Sequence, residues 1–115
     1  MLSPHFKKRE FTCKCCGKLP SEGIDPLLIA RLECLRTYFK RPIIITSGYR
    51  CEKHNARVGG ARNSLHRKGK AADIKIPGIS PRTVQVRCKE CFSDGGVGSY
   101  ATHTHVDTRG YCARW

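Results

Sequence analysis

An apolar stripe with a marked start and end dominates the first half of the chain and limits what it can fold into. Asp25 is suited to cap a helix and Pro26 to its first turn, while Pro42 cannot continue it. Between these points the apolar residues recur at helical spacing: Ile24, Leu27, Leu28, Leu32, Leu35 and Phe39. The pattern predicts an amphipathic helix whose apolar face packs in a core.

Shorter patterns make up the rest of the chain. In order, they predict a strand over 43–46, a long loop over 49–69, a strand over 71–76, a helix over 81–92 and strands around 96–100 and 104–109. The long loop has room for one helical turn near His54, and loops of this length are usually functional. This order predicts an α+β domain in which helices cover one face of a small, mainly antiparallel sheet.

The length of the chain fits one domain. With 115 residues, it can build one core but not two. We therefore expect a single domain over 1–115, with a Cys-rich N-terminal segment over 1–23 packed on it. The sequence CKCCG at 13–17 is typical of an ordered turn region rather than a helix.

The charge of the chain predicts anionic partners. It carries 22 Lys and Arg against 9 Asp and Glu, a formal net charge of +13. Nucleic acid and the anionic polymers of a bacterial cell wall both attract such a charge. Basic and aromatic residues do not alternate as they do in single-strand binders, so we expect no specific nucleic-acid binding.

The apolar segments are all short. No stretch of 18 apolar residues occurs, so we expect no membrane insertion. The N-terminal sequence MLSPHFKKREF has no apolar core of a signal peptide, which predicts a protein that is cytoplasmic as synthesised. We expect it to be a monomer.

Histidine and aspartate residues suggest a metal site. His66 precedes Asp73 by a spacing that a loop and the next strand can bridge, and His103, His105 and Asp107 alternate along one strand face. A zinc ion bound by His66, Asp73 and His105 would keep about one net positive charge and an open position for water, as in hydrolytic sites. From spacing alone, unconnected side chains that are hydrogen-bonded or solvated are an equal alternative.

Three segments carry a family resemblance. They are SGYRCEKHNARVGGARNSLHRKGKAADI at 47–74, GGVGSY at 95–100 and THVDTRGYCARW at 104–115. Together they resemble the zinc D-Ala-D-Ala carboxypeptidase family of the hedgehog/DD-peptidase fold, including its small phage and prophage lytic members. The resemblance covers residues 10–115, and its most specific part is SxHxxGxAxDI at 64–74.

This resemblance implies roles for individual residues. It implies that His66, Asp73 and His105 are zinc ligands, and that Arg50 binds the substrate carboxylate or polarises the scissile carbonyl. A guanidinium suits a carboxylate because its planar fork of donors makes two parallel hydrogen bonds. Ser64 is similar to a family residue that supports the loop, and it is a candidate for substrate binding.

The general base departs from the family pattern. Better-known members place an acidic residue three positions before the last histidine ligand, where this chain has Thr102. Threonine cannot take a proton from water. His103 is the first alternative, because an imidazole exchanges protons at neutral pH. Asp107 is the second, although it could instead orient an imidazole.

Eight cysteines and a few aromatic residues leave further alternatives open. CKCC and CKEC at 88–91 resemble the halves of a zinc ribbon, but more than 70 residues separate them. The family resemblance suggests instead that Cys13 or Cys15 lies near Cys51, as a disulfide or a structural metal site, with isolated thiols as a third possibility.

The few aromatic residues leave two alternatives open. Tyr100, Tyr111 and Trp115 could line a groove or pack in the core.

Three functions follow as hypotheses. The first is a zinc-dependent hydrolase of bacterial cell-wall peptides, of the D-Ala-D-Ala carboxypeptidase or peptidoglycan endopeptidase type, acting at the wall once released or as part of a virion. The second is a metal-binding recognition module without activity, which the missing acidic base would explain. The third, nucleic-acid binding, depends on charge alone.

Overall fold

The computed structural model describes residues 2–115. Its helices are α1 (Pro26–Phe39), α2 (Glu52–Arg57) and α3 (Pro81–Cys91), with two 3-10 helices at Lys8–Phe11 and Leu65–Lys68. Its strands are β1 (Ile44–Ser47), β2 (Ala71–Lys75), β3 (Gly96–Ser99), β4 (Thr104–Asp107) and β5 (Ala113–Arg114). No helix in this part of the chain is both long and apolar enough to span a bilayer.

The five strands form one mixed sheet in the order β1-β2-β4-β3-β5. The pairs β1/β2, β2/β4 and β3/β4 are antiparallel, whereas β5 runs parallel to β3. The α+β class predicted from the sequence is confirmed. The two-residue strand β5 was not predicted, because so short a segment carries no alternation pattern.

Helix α1 has the predicted ends but a slightly different buried face. The Asp25 carboxylate accepts a hydrogen bond from the Leu27 N–H at 3.1 Å, and Lys40 ends the helix in the left-handed conformation. The prediction that Leu27 faces the core is wrong, since 45% of its surface is exposed, while Ile29 is buried. At 100° per residue Leu27 lies at one border of the stripe and Ile29 near the other, and the core covers the side of Ile29.

The N-terminal segment packs against the end of β1. Phe6 and Phe11 are fully buried in the core, with their rings 6.1 Å apart in an edge-to-face arrangement. The Tyr49 N–H donates to the Phe11 carbonyl at 2.9 Å. A Cβ at Gly48 would lie 2.7 Å from the Phe11 Cα, so this close approach requires glycine. The segment therefore braces the backbone next to Arg50.

The predicted long loop over 49–69 is largely ordered by local caps. The expected helical turn near His54 is helix α2, which Cys51 caps through its sulfur. The second 3-10 helix is capped at its start by Ser64, whose hydroxyl accepts from the His66 N–H, and at its end by Gly69 with a φ of 70°. These caps hold the segment that carries His66 in one conformation.

Candidate metal centre and active-site cleft

The three predicted ligands come together. The antiparallel pairing of β2 with β4 places Asp73 directly opposite His105, and the second 3-10 helix brings His66 beside them. The Asp73 Oδ1 lies 3.3 Å from the His66 Nε2 and 3.2 Å from the His105 Nδ1. One ligand atom from each residue lies within 4.8 Å of the others.

The hydrogen bonds around these residues leave three acceptor atoms facing one another. The His66 Nδ1 donates to the Gly48 carbonyl at 2.8 Å, which leaves its Nε2 with a lone pair in the neutral ring. The His105 Nε2 donates to the Asp107 carboxylate at 2.7 Å, which leaves its Nδ1 likewise. Two lone pairs and a carboxylate oxygen at this separation require a positive charge between them or on the rings.

These residues fit a zinc ion. Zinc bonds of about 2.0–2.2 Å to nitrogen and oxygen in tetrahedral geometry separate the donor atoms by about 3.3–3.5 Å. The two nitrogen–oxygen distances of 3.3 and 3.2 Å agree with that spacing. The donor set and its hydrogen-bonded imidazoles are also those of known zinc sites.

The electrostatics keep Asp73 ionised. Burial opposes its charge, but the contacts with the imidazoles of His105 and His66 hold the pKa of Asp73 well below its usual range. Burial likewise opposes the charge on His105, yet Asp107 and Asp73 raise the pKa of that imidazole above its ordinary value. The pocket therefore stabilises positive charge at its centre.

Asp107 contacts the His105 nitrogen that does not face Asp73. It is completely buried, and besides His105 it accepts hydrogen bonds from the Gly96 N–H at 2.8 Å and from Arg109 through Nε and Nη2. Although burial opposes ionisation, His105 and Arg109 hold the pKa of Asp107 well below its usual range. These contacts favour the orienting role over that of a general base.

We expect Asp107→Asn to weaken zinc binding without abolishing it. The amide can still accept from His105, but the negative charge that polarises the imidazole and pairs with Arg109 is lost. Loss of such an outer partner costs about 10–100-fold in metal affinity or activity. Competition with a chromophoric chelator measures the effect, and unchanged affinity would contradict the orienting role.

Arg50 reaches the same carboxylate from the other side. Its Nη2 lies 3.1 Å from the Asp73 Oδ2, and its Nε donates to the Ser47 hydroxyl at 3.0 Å. A Cβ at Gly60 would lie 3.1 Å from the Arg50 Nη1, so Gly60 leaves the guanidinium its space. The side chain is thus fixed beside the ligands with one edge lining the cleft.

The two remaining predicted site residues, Ser64 and His103, lie outside the group of candidate ligands. The Ser64 hydroxyl accepts from the His66 N–H at 3.2 Å, which is the loop-supporting contact. His103 precedes β4 and stacks on the Tyr100 ring, with centroids 4.5 Å apart and planes 6° apart. Gln85 of α3 holds this turn through the carbonyls of Tyr100 and His103 at 2.9 and 3.3 Å.

A cleft of about 860 Å³ opens over these residues. Its lining includes Arg50, Ser64, His66, Asp73, His103 and His105. Tyr100, Tyr111 and Trp115 also line it, so the groove alternative for these aromatic residues is confirmed. The Trp115 ring lies 5.1 Å from the His105 ring, and its Nε1–H donates to the Tyr100 hydroxyl at 3.0 Å.

Sequence reasoning missed Arg109. Its guanidinium pairs with Asp107 and lies 5.0 Å from the Trp115 ring, so it links the carboxylate behind His105 to the aromatic wall. The available signal was its position two residues after Asp107, on the same side of an extended chain. The pKa of Arg109 is raised, chiefly by its hydrogen bond to Asp107, so this side chain stays positively charged.

Three of the eight cysteines form a group that is not part of the cleft lining. The sulfur atoms of Cys13, Cys16 and Cys51 lie within 4.8 Å of one another, and we call these residues the three-cysteine cluster. The expectation that Cys13 or Cys15 lies near Cys51 is confirmed for Cys13, while Cys15 is exposed and outside the cluster. Burial opposes ionisation of Cys13, but the N–H groups of Cys51, Cys16 and Cys15 lower its pKa to about 7.

The zinc-ribbon alternative is wrong. Cys88 is buried in the core, where burial raises its pKa to about 12. The Cys91 sulfur lies 3.6 Å from that of Cys34 on α1. Within residues 2–115, all eight cysteines are free, and neither Cys88 nor Cys91 joins a metal-ligand group.

Comparison with known proteins decides the family. The family model described as Peptidase M15 matches residues 4–107, nearly the whole chain and all three candidate ligands. The chain belongs to the peptidase M15 family. This confirms the resemblance to zinc D-Ala-D-Ala carboxypeptidases on which the ligand assignment depends.

Two curated relatives are named as peptidoglycan L,D-endopeptidases. The chain is 36% identical over 95 residues to the "Probable peptidoglycan L,D-endopeptidase MepK" of Haemophilus influenzae, covering 74% of this chain and 50% of that protein. It is 32% identical over 96 residues to the peptidoglycan L,D-endopeptidase MepK of Escherichia coli, covering 76% and 52%. The M15 chain described here thus spans about half the length of the curated relatives it matches.

Proposed function

We propose that the protein is a zinc-dependent hydrolase of bacterial cell-wall peptides. The observation that carries this proposal is the convergence of His66, Asp73 and His105 at the base of an open cleft, in a chain of the peptidase M15 family. The relatives named as peptidoglycan L,D-endopeptidases support an endopeptidase reaction more than a carboxypeptidase reaction.

Three side chains would hold the metal. His66 through Nε2, Asp73 through Oδ1 and His105 through Nδ1 present the free donor atoms. Zinc bound there would supply an acidified water and a polarised peptide carbonyl. Asp107 keeps the proton of His105 on Nε2, so that Nδ1 stays a donor to the metal.

Arg50 would position the substrate. Its guanidinium lines the cleft beside Asp73 and can offer a planar pair of donors to a peptide carboxylate or to the scissile carbonyl. Ser47 and Asp73 fix two of its nitrogens, so little side-chain entropy remains to be lost on binding. Ser64 lines the same cleft and could contact substrate while capping the turn.

His103 is the best candidate for the general base. It lines the cleft and does not belong to the ligand group, whereas Asp107 is completely buried and paired with Arg109. The stack on Tyr100 and the contact of its Nδ1 with the Thr102 hydroxyl at 3.1 Å hold the ring in one orientation. In this arrangement Thr102 would orient the base in place of the acidic residue expected there.

Digestion of purified peptidoglycan tests the proposal. We expect zinc-loaded protein to release wall peptides whose mass and new termini identify an L,D or D,D bond, and a chelator to stop the release until zinc is restored. Retained zinc without any released peptide would contradict hydrolysis and favour the recognition module.

A binding measurement tests the role of the net charge of +13. Binding of the protein to teichoic acid that is lost at high salt would assign this charge to wall attachment.

We expect Arg50→Lys to lower kcat/KM about 10–100-fold while zinc content stays constant. An ammonium cannot reproduce the two parallel hydrogen bonds, and each charged hydrogen bond is worth about 1.5–3 kcal/mol. Peptide pairs that differ only in a free or amidated carboxyl end show which group Arg50 binds. Arg57→Lys, at an exposed position of α2, is the matched control. Unchanged kinetics in Arg50→Lys would remove Arg50 from the substrate site.

A further inference from the structure

The three-cysteine cluster lies outside the cleft and takes no part in the proposed reaction. Its three sulfur atoms lie within 4.8 Å of one another. We propose that Cys13, Cys16 and Cys51, completed by His54, bind a structural zinc ion that fastens the N-terminal segment to the loop carrying Arg50. This inference is independent of the proposed hydrolysis.

The first half of the site is a tight turn. Cys13 and Cys16 have the C-x-x-C spacing of zinc sites, followed by Gly17 with a φ of 70°. The Gly17 N–H donates to the Cys13 carbonyl at 2.7 Å, and the Cys13 N–H donates to the Lys18 carbonyl at 2.9 Å. This turn brings the first and last sulfurs together and leaves Cys15 exposed.

The second half of the site is the start of α2. The Cys51 N–H donates to the Cys13 sulfur at 3.4 Å, and the His54 N–H donates to the Cys51 sulfur at 3.4 Å. Backbone N–H groups directed at sulfur stabilise thiolates, the form that binds metal. Cys51 and His54 are three residues apart and so lie on one side of the helix.

His54 is the fourth ligand by its spacing and its surroundings. Its Nδ1 is buried without a hydrogen-bond partner among the described residues, an arrangement that a metal bond would satisfy. The ring is not grouped with the three sulfurs within 4.8 Å, so binding requires rotation of this side chain. The resulting Cys3His set is a common structural zinc site.

A metal accounts for this cluster better than a disulfide does. A disulfide joins two sulfurs and leaves the third unpaired, whereas one zinc ion engages all three. Tetrahedral zinc with bonds of about 2.3 Å separates its sulfurs by about 3.8 Å, which the observed grouping within 4.8 Å allows.

The position of the cluster gives the metal a structural role. Cys51 directly follows Arg50, and the preceding Tyr49 N–H is bound by the Phe11 carbonyl two residues before Cys13. Zinc would therefore hold the N-terminal segment against the backbone on both sides of Arg50. We expect its loss to lower the melting temperature and to raise KM more than it lowers kcat.

Zinc content of protein purified without added metal tests the inference. We expect two equivalents in the parent, one in Asp73→Ala, one in Cys16→Ser and two in Cys15→Ser. The last variant is the matched control, because Cys15 lies in the same turn but outside the cluster. Cobalt substitution should give a sulfur-to-cobalt charge-transfer band in both the parent and Asp73→Ala. We expect this band to be weaker in Cys16→Ser. We expect His54→Ala to change the visible d–d bands but to keep the charge-transfer band.

Two results would overturn the proposal. One is peptide mapping of alkylated, denatured and unreduced parent in which any of Cys13, Cys16 and Cys51 stays unmodified, which would show a disulfide within the cluster. The other is failure of an organomercurial to release one equivalent of zinc from Asp73→Ala, a measurement that stays decisive if Cys16→Ser does not fold. Identical cobalt spectra for His54→Ala and the parent would remove His54 from the ligand set.

Discussion

Asp73→Ala is expected to reduce peptide release to the background rate and to remove the zinc of the cleft. Asp73 contacts both imidazoles through Oδ1 and Arg50 through Oδ2, so the substitution removes the anionic member of the ligand group and leaves the buried guanidinium without its counterion. A charge left unpaired in a buried site also costs stability, about 3–5 kcal/mol for a buried pair. Product release, zinc content relative to the parent and the melting temperature give the three readouts.

Asp94→Ala is the matched control for this substitution. Asp94 is another aspartate paired with an arginine, Arg31, but 55% of its side chain is exposed and it lies outside the cleft. It should keep the parent's activity, zinc and melting temperature, because an exposed ion pair contributes little. Full activity in Asp73→Ala would exclude the proposed metal centre.

His103→Ala is expected to lower kcat about 10²–10⁴-fold with the cleft zinc retained, the range typical of a lost general base. The ring stacks on Tyr100 in the cleft and is absent from the ligand group, so its removal should affect proton transfer and not metal binding. Added imidazole should restore part of the rate, since it can occupy the space next to Tyr100. Single-turnover digestion with and without imidazole measures this.

His5→Ala provides the comparison for His103→Ala. His5 is also partly exposed but pairs with Glu33 at 2.7 Å, far along the chain from the cleft residues. It should keep full activity and show no response to imidazole. Loss of zinc in His103→Ala would identify a ligand instead of a base, and an unchanged rate would exclude both roles.

Local chemistry made much of the fold predictable. Asp25 and Pro26 start α1, Ser80 caps α3, and Gly69 ends the second 3-10 helix, all through contacts within a few residues. The face of α1 was less predictable. Leu27 and Ile29 lie near opposite borders of the stripe, and the packed neighbours decide which border is covered.

The candidate site was predictable in its membership and less so in its roles. The motif SxHxxGxAxDI and the later THVD segment identified His66, Asp73 and His105, which the structure brings together. From the sequence, Asp107 was a candidate both for the general base and for a residue that orients an imidazole. Its complete burial and its pairing with Arg109 distinguish the two roles, and both depend on packing.

By itself, the sequence determined the donor types, the caps and the turns, because these depend on residue identity and short-range hydrogen bonds. The tertiary structure alone decided which nitrogen of each imidazole faces Asp73. That choice depends on the Gly48 carbonyl for His66 and on Asp107 for His105. It also decided that Cys16, not Cys15, joins Cys51, since such contacts between distant segments arise only when the strands and the N-terminal segment pack together.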